Sequence, residues 1–304
     1  MTTRDPLTGS LSPSERAEPL VLHELLDGGV VRIILNRPET RNAQNTDLLY
    51  ALNDAFDHAA RDDAVKVIVL AASGPHFSSG HDMRERGGDV ERVNAAMLEH
   101  RTVGTWASFR QPGADGYMSR EMEIYFGFCE RWRNLPKPTI AQVHGKAIIG
   151  GLMLIWPCDL IVASEDATFL DNAVQMGIGS GEFFQHVFEL GPRKAKELLF
   201  TAEPITAAEG YRLGMINHVV SRAELESFTL ALARKIARYP AFALKLAKES
   251  VNASVDAQGR LQGMRTAFAL HQLAHWHNHA LYGRIVDPSY LTNTFGDKMK
   301  DENP

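Results

Sequence analysis

Two β-rich runs in this chain each break at a glycine and continue as a helical pattern. Val65–Ala72, "VKVIVLAA", leads into the loop "SGPHFSSGHDM"; "PTIAQVHG" leads into "KAIIGGLMLIW". Strand, glycine corner and helix in succession, repeated, point to an α/β fold of repeated units. The second corner lies in "AIIGGLMLIW", Ala147 to Trp156, whose only polar side chain is the Trp156 indole. A spanning helix needs roughly 20 apolar residues. This run is bounded by Lys146 and Asp159, so no membrane partner is expected.

The rest of the chain fits that class. Val21–Leu35 holds two β-rich runs around Asp27-Gly28-Gly29, a hairpin signal. A helix is expected with Thr46 as its cap and Leu48, Leu49, Leu52 and Phe56 on one face. "CDLIVASEDATFL" reads as strand, turn and short strand. From about Pro192 the pattern is helical: "PRKAKELLF", "TAAEGYRLG", "RAELESFTLALARKIARY", then 241–252 and about 258–281. Residues 1–19 read as a polar tail, 20–220 as the core, and 221–304 as a helical region suited to packing on another subunit. Arg84–Glu123 is charged and interrupted by "RQPGADGY"; it reads as helical pieces and a loop near "SSGHDM".

A net charge of −5 in 304 residues argues against a nucleic-acid partner. Cys129 and Cys158 have no metal-type spacing and give no disulfide framework, as expected in a reducing cytoplasm. Glycine at each corner lets the backbone turn sharply and lets a ligand approach free N–H groups at a helix start. Two such corners aimed at one point would make an oxyanion hole. Alternatively, both are simple tight turns.

In order and spacing, "NRPETRNAQN", "ASGPHFSSGHDM", "PKPTIAQVHGKAIIGGLMLIWPCDLIVASEDATF" and "GPRKAKELLFTAEPITAAEGYRLGMINHVV" resemble the enoyl-CoA hydratase/isomerase (crotonase) family. The resemblance implies a spiral of ββα units, a C-terminal helical trimerisation region, and homotrimers or dimers of trimers. It implies an acyl-CoA thioester substrate and no cofactor or metal beyond the coenzyme A moiety. The thioester oxygen would be held by the N–H groups of His81 and Gly150. The coenzyme A end would run along Arg41, Asn42, Ala43, Ser79, Asp82 and Met83.

The sequence also departs from that family. Its hydratases use two glutamates, and the matching positions here are Met153 and Ala173, neither able to move a proton. Glu182 is the first candidate for a single base and Asp171 the second, which favours isomerase-like chemistry. Asp171 also suits a turn, and Glu182 also suits a solvent face with Gln185, His186 and Glu189. His81 resembles the histidine of the methylmalonyl-CoA decarboxylase branch, but that branch's tyrosine aligns with Ser180. Its side chain is equally free to point away while its N–H works. Decarboxylation, thioester hydrolysis and a catalytically silent CoA-binding scaffold are the competing readings.

Other features have plainer expectations. His271 and His275 are spaced i, i+4 in "HQLAHWHNHA" without a nearby carboxylate, so packing is expected rather than metal binding. His144 is expected as a hydrogen-bonded core residue. Met97, Met118 and Met122 suit core filling or an acyl pocket.

Overall fold

The structure, a computed structural model, describes residues 18–83, 109 and 111–295. Most of the N-terminal tail and the 84–108 part of the charged segment, with Met97, lie outside the described residues.

Strands β1 (Val21–Leu26) and β2 (Val30–Leu35) form the expected hairpin, with Leu26 opposite Val30. Gly28 and Gly29 supply the positive φ that the turn requires. Helix α1 (Thr46–Arg61) buries Leu48, Leu49, Leu52 and Phe56, as its periodicity predicts. Its cap differs from expectation: Asn45, not Thr46, accepts the Leu48 N–H at 3.0 Å. Strand β3 (Val67–Ala72) follows. Helix α2 (Ala114–Glu121) runs through a π-helical turn, Met122–Gly127, into α3 (Phe128–Arg133).

Strands β4 (Thr139–Val143) and β5 (Lys146–Ile148) then lead into α4 (Gly150–Ile155). Strands β6 (Leu160–Ser164) and β7 (Thr168–Leu170) precede a short 3-10 turn, Ala173–Met176. Helix α5 (His186–Thr201) bends at Gly191, before Pro192. Next come β8 (Ile205–Thr206), α6 (Ala207–Leu213) and β9 (His218–Val220). The chain closes with α7 (Leu225–Ala237), α8 (Ala241–Asp256), α9 (Arg260–Tyr282) and α10 (Pro288–Phe295).

Six strands form one sheet in the order β1-β2-β3-β4-β6-β9, parallel except for the hairpin. A three-stranded sheet, β5-β7-β8, stands apart from it. The period-2 alternation of strand side chains decides which face each residue covers. Val31, Ile33, Leu35, Ile68, Leu70, Ala141, Val143, Ile161 and Ala163 enter the main core. Their neighbours Val30, Val67, Val69, Ile140 and Val162 point the other way, under Leu225, Leu230, Ala233 and Ala237 of α7. Helix α7 is thus the cover of the sheet's back face.

The last long helix is fixed to the core at two points. Arg260, 1% exposed, grips both carboxylate oxygens of Glu130 at 2.6 and 2.9 Å. Phe268 packs edge-on to Phe126 of the π-helical turn, ring centroids 5.8 Å apart. By contrast α8 buries none of its residues, and Phe242, Leu246 and Val251 on it are exposed. No helix among the described residues is long and apolar enough to cross a membrane.

Candidate active site

The two glycine corners meet. Ser78, in the loop after β3, pairs in parallel with Ala147 of β5 through Ser78 N–H to Lys146 O (3.1 Å) and Ile148 N–H to Ser78 O (3.1 Å). Gly80 turns at φ +88°, and a Cβ there would sit 2.7 Å from the Ile148 carbonyl and 3.4 Å from the Gly150 nitrogen. A Cβ on Gly150 would meet Gln44 Oε1 at 2.7 Å and the His81 ring at 2.9 Å. Glycine is therefore required at Gly80 by conformation and by contact with backbone, whereas a Cβ at Gly150 would force the Gln44 and His81 side chains to shift.

His81 lines a cleft, and Gly150 lies against the His81 ring. Beside Gln44, His81 pairs so that the Gln44 N–H goes to Gly80 O and the Asp82 N–H to Gln44 O. The His81 N–H therefore faces the opposite side. Gly150 opens α4, where N–H groups have no helical partner. Ile149, just before it, is held at φ 39°, ψ −93°, rare for a β-branched residue. Its N–H donates to Leu170 O at 2.8 Å and its carbonyl accepts from Leu152 and Met153, so the corner is fixed from both ends.

The cleft measures about 470 Å³ with its mouth included. Ile149, Ala173, Met176 and Ile178 give it an apolar wall. Among the described residues lining it, Glu182 is the one acidic residue. The Glu182 side chain is 1% exposed and lies just before α5, so the solvent-face alternative does not hold. Gln185 and His186 are buried with it. The His81 ring does not point away: its Nε2 lies 3.0 Å from Glu182 Oε2. The ring also packs on Tyr125 of the π-helical turn, centroids 4.0 Å apart.

On its other side Glu182 faces His271 of α9, whose Nε2 is 3.6 Å from Oε1. Burial alone would raise the Glu182 carboxyl, but the charges of His81 and His271 outweigh it and bring it down to about 2. Burial would likewise lower His271, but Glu182 and Glu121 push it up to about 9. Glu121, from the end of α2, is fully buried and was not singled out in the sequence. Only the unusual "EMEIYFGF" run, with a charge among apolar residues, hinted at it.

Asp171 is placed differently. Its Oδ1 accepts the Ala173 N–H at 2.9 Å and its Oδ2 the Gly181 N–H at 3.0 Å. His186 Nε2 lies 2.9 Å from Oδ2. That carboxylate braces the loop bearing Glu182 and is not among the residues lining the cleft. Met153 and Ala173 are buried; Ala173 lines the cleft, and a Cβ on Gly181 would come within 3.6 Å of Met153 Sδ.

The six residues assigned to the coenzyme A end divide. Ser79 and Met83 line the cleft. Asn42 staples the loops: its amide donates to Ser73 O (2.9 Å) and His76 O (3.0 Å) and accepts the Arg37 N–H (2.8 Å). Asp82 pairs with buried Arg37 at 3.1 Å, and the same guanidinium donates to Ala43 O. Arg41, at φ 57°, gives its carbonyl to the Ser79 N–H. His144 is the expected core residue, its Nε2 2.9 Å from Gly74 O.

The chain was compared with known proteins. The family model for enoyl-CoA hydratase/isomerase matches residues 26–111 and 118–280. "Putative enoyl-CoA hydratase EchA13" of Mycobacterium tuberculosis is 41% identical over 298 residues, 95% of this chain and 90% of that protein. The crystal structure of a probable enoyl-CoA hydratase from Mycobacterium smegmatis superposes with a TM-score of 0.78 at 42% identity, covering 88% of this chain and 99% of that one. An enoyl-CoA hydratase/isomerase from Xanthobacter autotrophicus Py2 gives 0.74 at 29% identity, covering 91% and 94%.

Two outcomes test the geometry. Gly80→Ala should be destabilised more than Gly259→Ala, as read from denaturant midpoints. Both glycines sit at φ +88°, so each should lose about 1–2 kcal/mol from conformation alone. Only position 80 adds the contact with Ile148 O, since nothing lies within 4 Å at position 259. Equal losses would contradict the close approach. Second, the Glu182 carboxyl falls from 4.5 to about 2 on folding. Its stabilising contribution is complete above the unfolded value and lost as pH drops through the folded one. Stability should therefore fall more steeply below pH 4.5 in the wild type than in Glu182→Gln. Parallel profiles would contradict the charge cluster.

Proposed function

The chain belongs to the enoyl-CoA hydratase/isomerase family, and we propose that it moves a proton along an acyl-CoA thioester with one base, Glu182. The carrying observation is the placement of Glu182: the acidic residue of the cleft, joined to His81 through its Nε2. In this reading the thioester oxygen takes the N–H groups of His81 and Gly150. Glu182 removes a proton from C2 of a 3-enoyl thioester. The electron pair moves onto the thioester oxygen as a dienolate, where the two N–H groups stabilise it. The same carboxyl returns the proton at C4, leaving the 2-enoyl thioester and a carboxylate again. His81 and His271 hold the carboxylate ionised for the first step. Hydration by a glutamate pair is disfavoured because Met153 and Ala173 occupy the matching positions.

The coenzyme A portion of the substrate supplies the only cofactor-like group in this scheme. Ser79 and Met83, at the mouth of the cleft, are the supported contacts for it. Cys129 and Cys158 are free thiols, which supports a reducing, cytoplasmic setting.

The test uses 3-enoyl-CoA, 2-enoyl-CoA and methylmalonyl-CoA with product detection by mass. Positional isomerisation is expected, reduced about 10²- to 10⁴-fold in Glu182→Gln. Robust hydration untouched by that substitution would remove Glu182 as the base. Decarboxylation, release of free CoA, or tight CoA binding without turnover would each replace the isomerase reading.

The exposed Phe242, Leu246 and Val251 on α8, a helix burying none of its residues, support a subunit contact. A homotrimer or a dimer of trimers is expected by sedimentation or light scattering. A monomer at micromolar concentration would refute it.

A further inference from the structure

Behind Glu182, His271 joins two further groups that the proton transfer does not use, His275 and Glu121. His271 and His275 stand one turn apart on α9, their rings edge to face with centroids 4.3 Å apart. Both are buried, at 4% and 0% exposure. Each Nδ1 meets a backbone carbonyl, Ser180 O at 2.7 Å and Ile285 O at 2.9 Å. A carbonyl only accepts, so each Nδ1 carries a proton, and in the neutral imidazole each Nε2 presents its lone pair. Both Nε2 atoms are sealed from solvent and take no hydrogen bond. They converge on Glu121: His271 Nε2 is 3.4 Å from Oε2 and His275 Nε2 is 3.7 Å from Oε1. Glu182 Oε1 is 3.6 Å from the same His271 nitrogen.

These separations are longer than good hydrogen bonds and lie within ion-pair range. They also match the spacing of ligands around an ion. Ligands at about 2.0–2.1 Å from a tetrahedral centre lie roughly 3.4 Å from each other. One ligand atom each from Glu121, His271 and His275 can be chosen so that all lie within 4.8 Å of one another. The surroundings have the form of a metal site's outer layer. Backbone carbonyls orient both imidazoles, and Gln272 Nε2 donates to Glu121 Oε2 at 2.6 Å.

We propose that Glu121, His271 and His275 form a binding site for a divalent transition-metal ion, seated against Glu182 at the back of the cleft. Two imidazoles and a carboxylate suit zinc rather than calcium or magnesium, which take oxygen ligands. His271 lines the cleft, so an ion can enter from solvent. Without an ion, a proton on His271 balances the two carboxylates; the ion takes over that role. The proposal is tested without turnover.

Full-length protein, treated with chelator and desalted, is titrated with zinc sulfate by calorimetry and with Co²⁺ in the visible range. One ion per chain at micromolar affinity or tighter is expected, with a raised Tm and the visible band of four-coordinate cobalt. His275→Gln should weaken binding beyond the roughly 10–100-fold that loss of an outer-layer partner costs. Glu121→Gln should do the same, and circular dichroism checks that both variants fold. Absence of saturable binding to the wild type would overturn the proposal. So would equal affinity in the wild type and the folded variants, or an octahedral cobalt spectrum.

Discussion

A carboxylate cannot stay ionised out of water unless the fold supplies compensation, and Glu182 is almost wholly out of water. The compensation comes from His81 and His271, and each fixes a different part of the chain. His81 sits on the loop after β3 and His271 on α9, so Glu182 ties a glycine corner to a C-terminal helix. Glu121 then places a second buried negative charge next to His271, bringing the end of α2 into the same cluster. The π-helical turn that follows α2 presents Tyr125 to the other face of the His81 ring.

The backbone and the side chains share the labour unequally. The approach of the two corners depends on where glycines stand. The loops that carry them are held by side chains: Asn42 across two turns, and Arg37 between Ala43 and Asp82. These polar residues look, in sequence, like ligand contacts. In the fold their hydrogen-bonding capacity is largely spent on the protein itself.

That distinction marks what the sequence could reveal. The strand at Val67–Ala72 was legible as a β-rich run, but its faces were not: Val67–Leu70 is apolar throughout, and only the fold sends Ile68 and Leu70 one way, Val67 and Val69 the other. The hairpin was legible from Asp27-Gly28-Gly29, and the helix α1 face from Leu48, Leu49, Leu52 and Phe56. The cap slipped by one residue because Asn45 and Thr46 are both good caps and only geometry chooses. Glu182 with Gln185, His186 and Glu189 looked like a wet helix face because a helix starting at Glu182 would make one. The helix begins at His186 instead, and the bend at Glu182 and Phe183 before it drops Glu182 inward. The pairing of His271 with Glu121 was invisible, because spacing describes neighbours on one element and says nothing of partners on distant ones.

Ile149 carries a last implication. A branched residue at φ 39° sits in backbone space that costs about 1–3 kcal/mol, and three backbone hydrogen bonds hold it there. That cost is met once, when the chain folds, and not each time a ligand arrives. The corner beside Gly150 is therefore shaped before anything occupies the cleft.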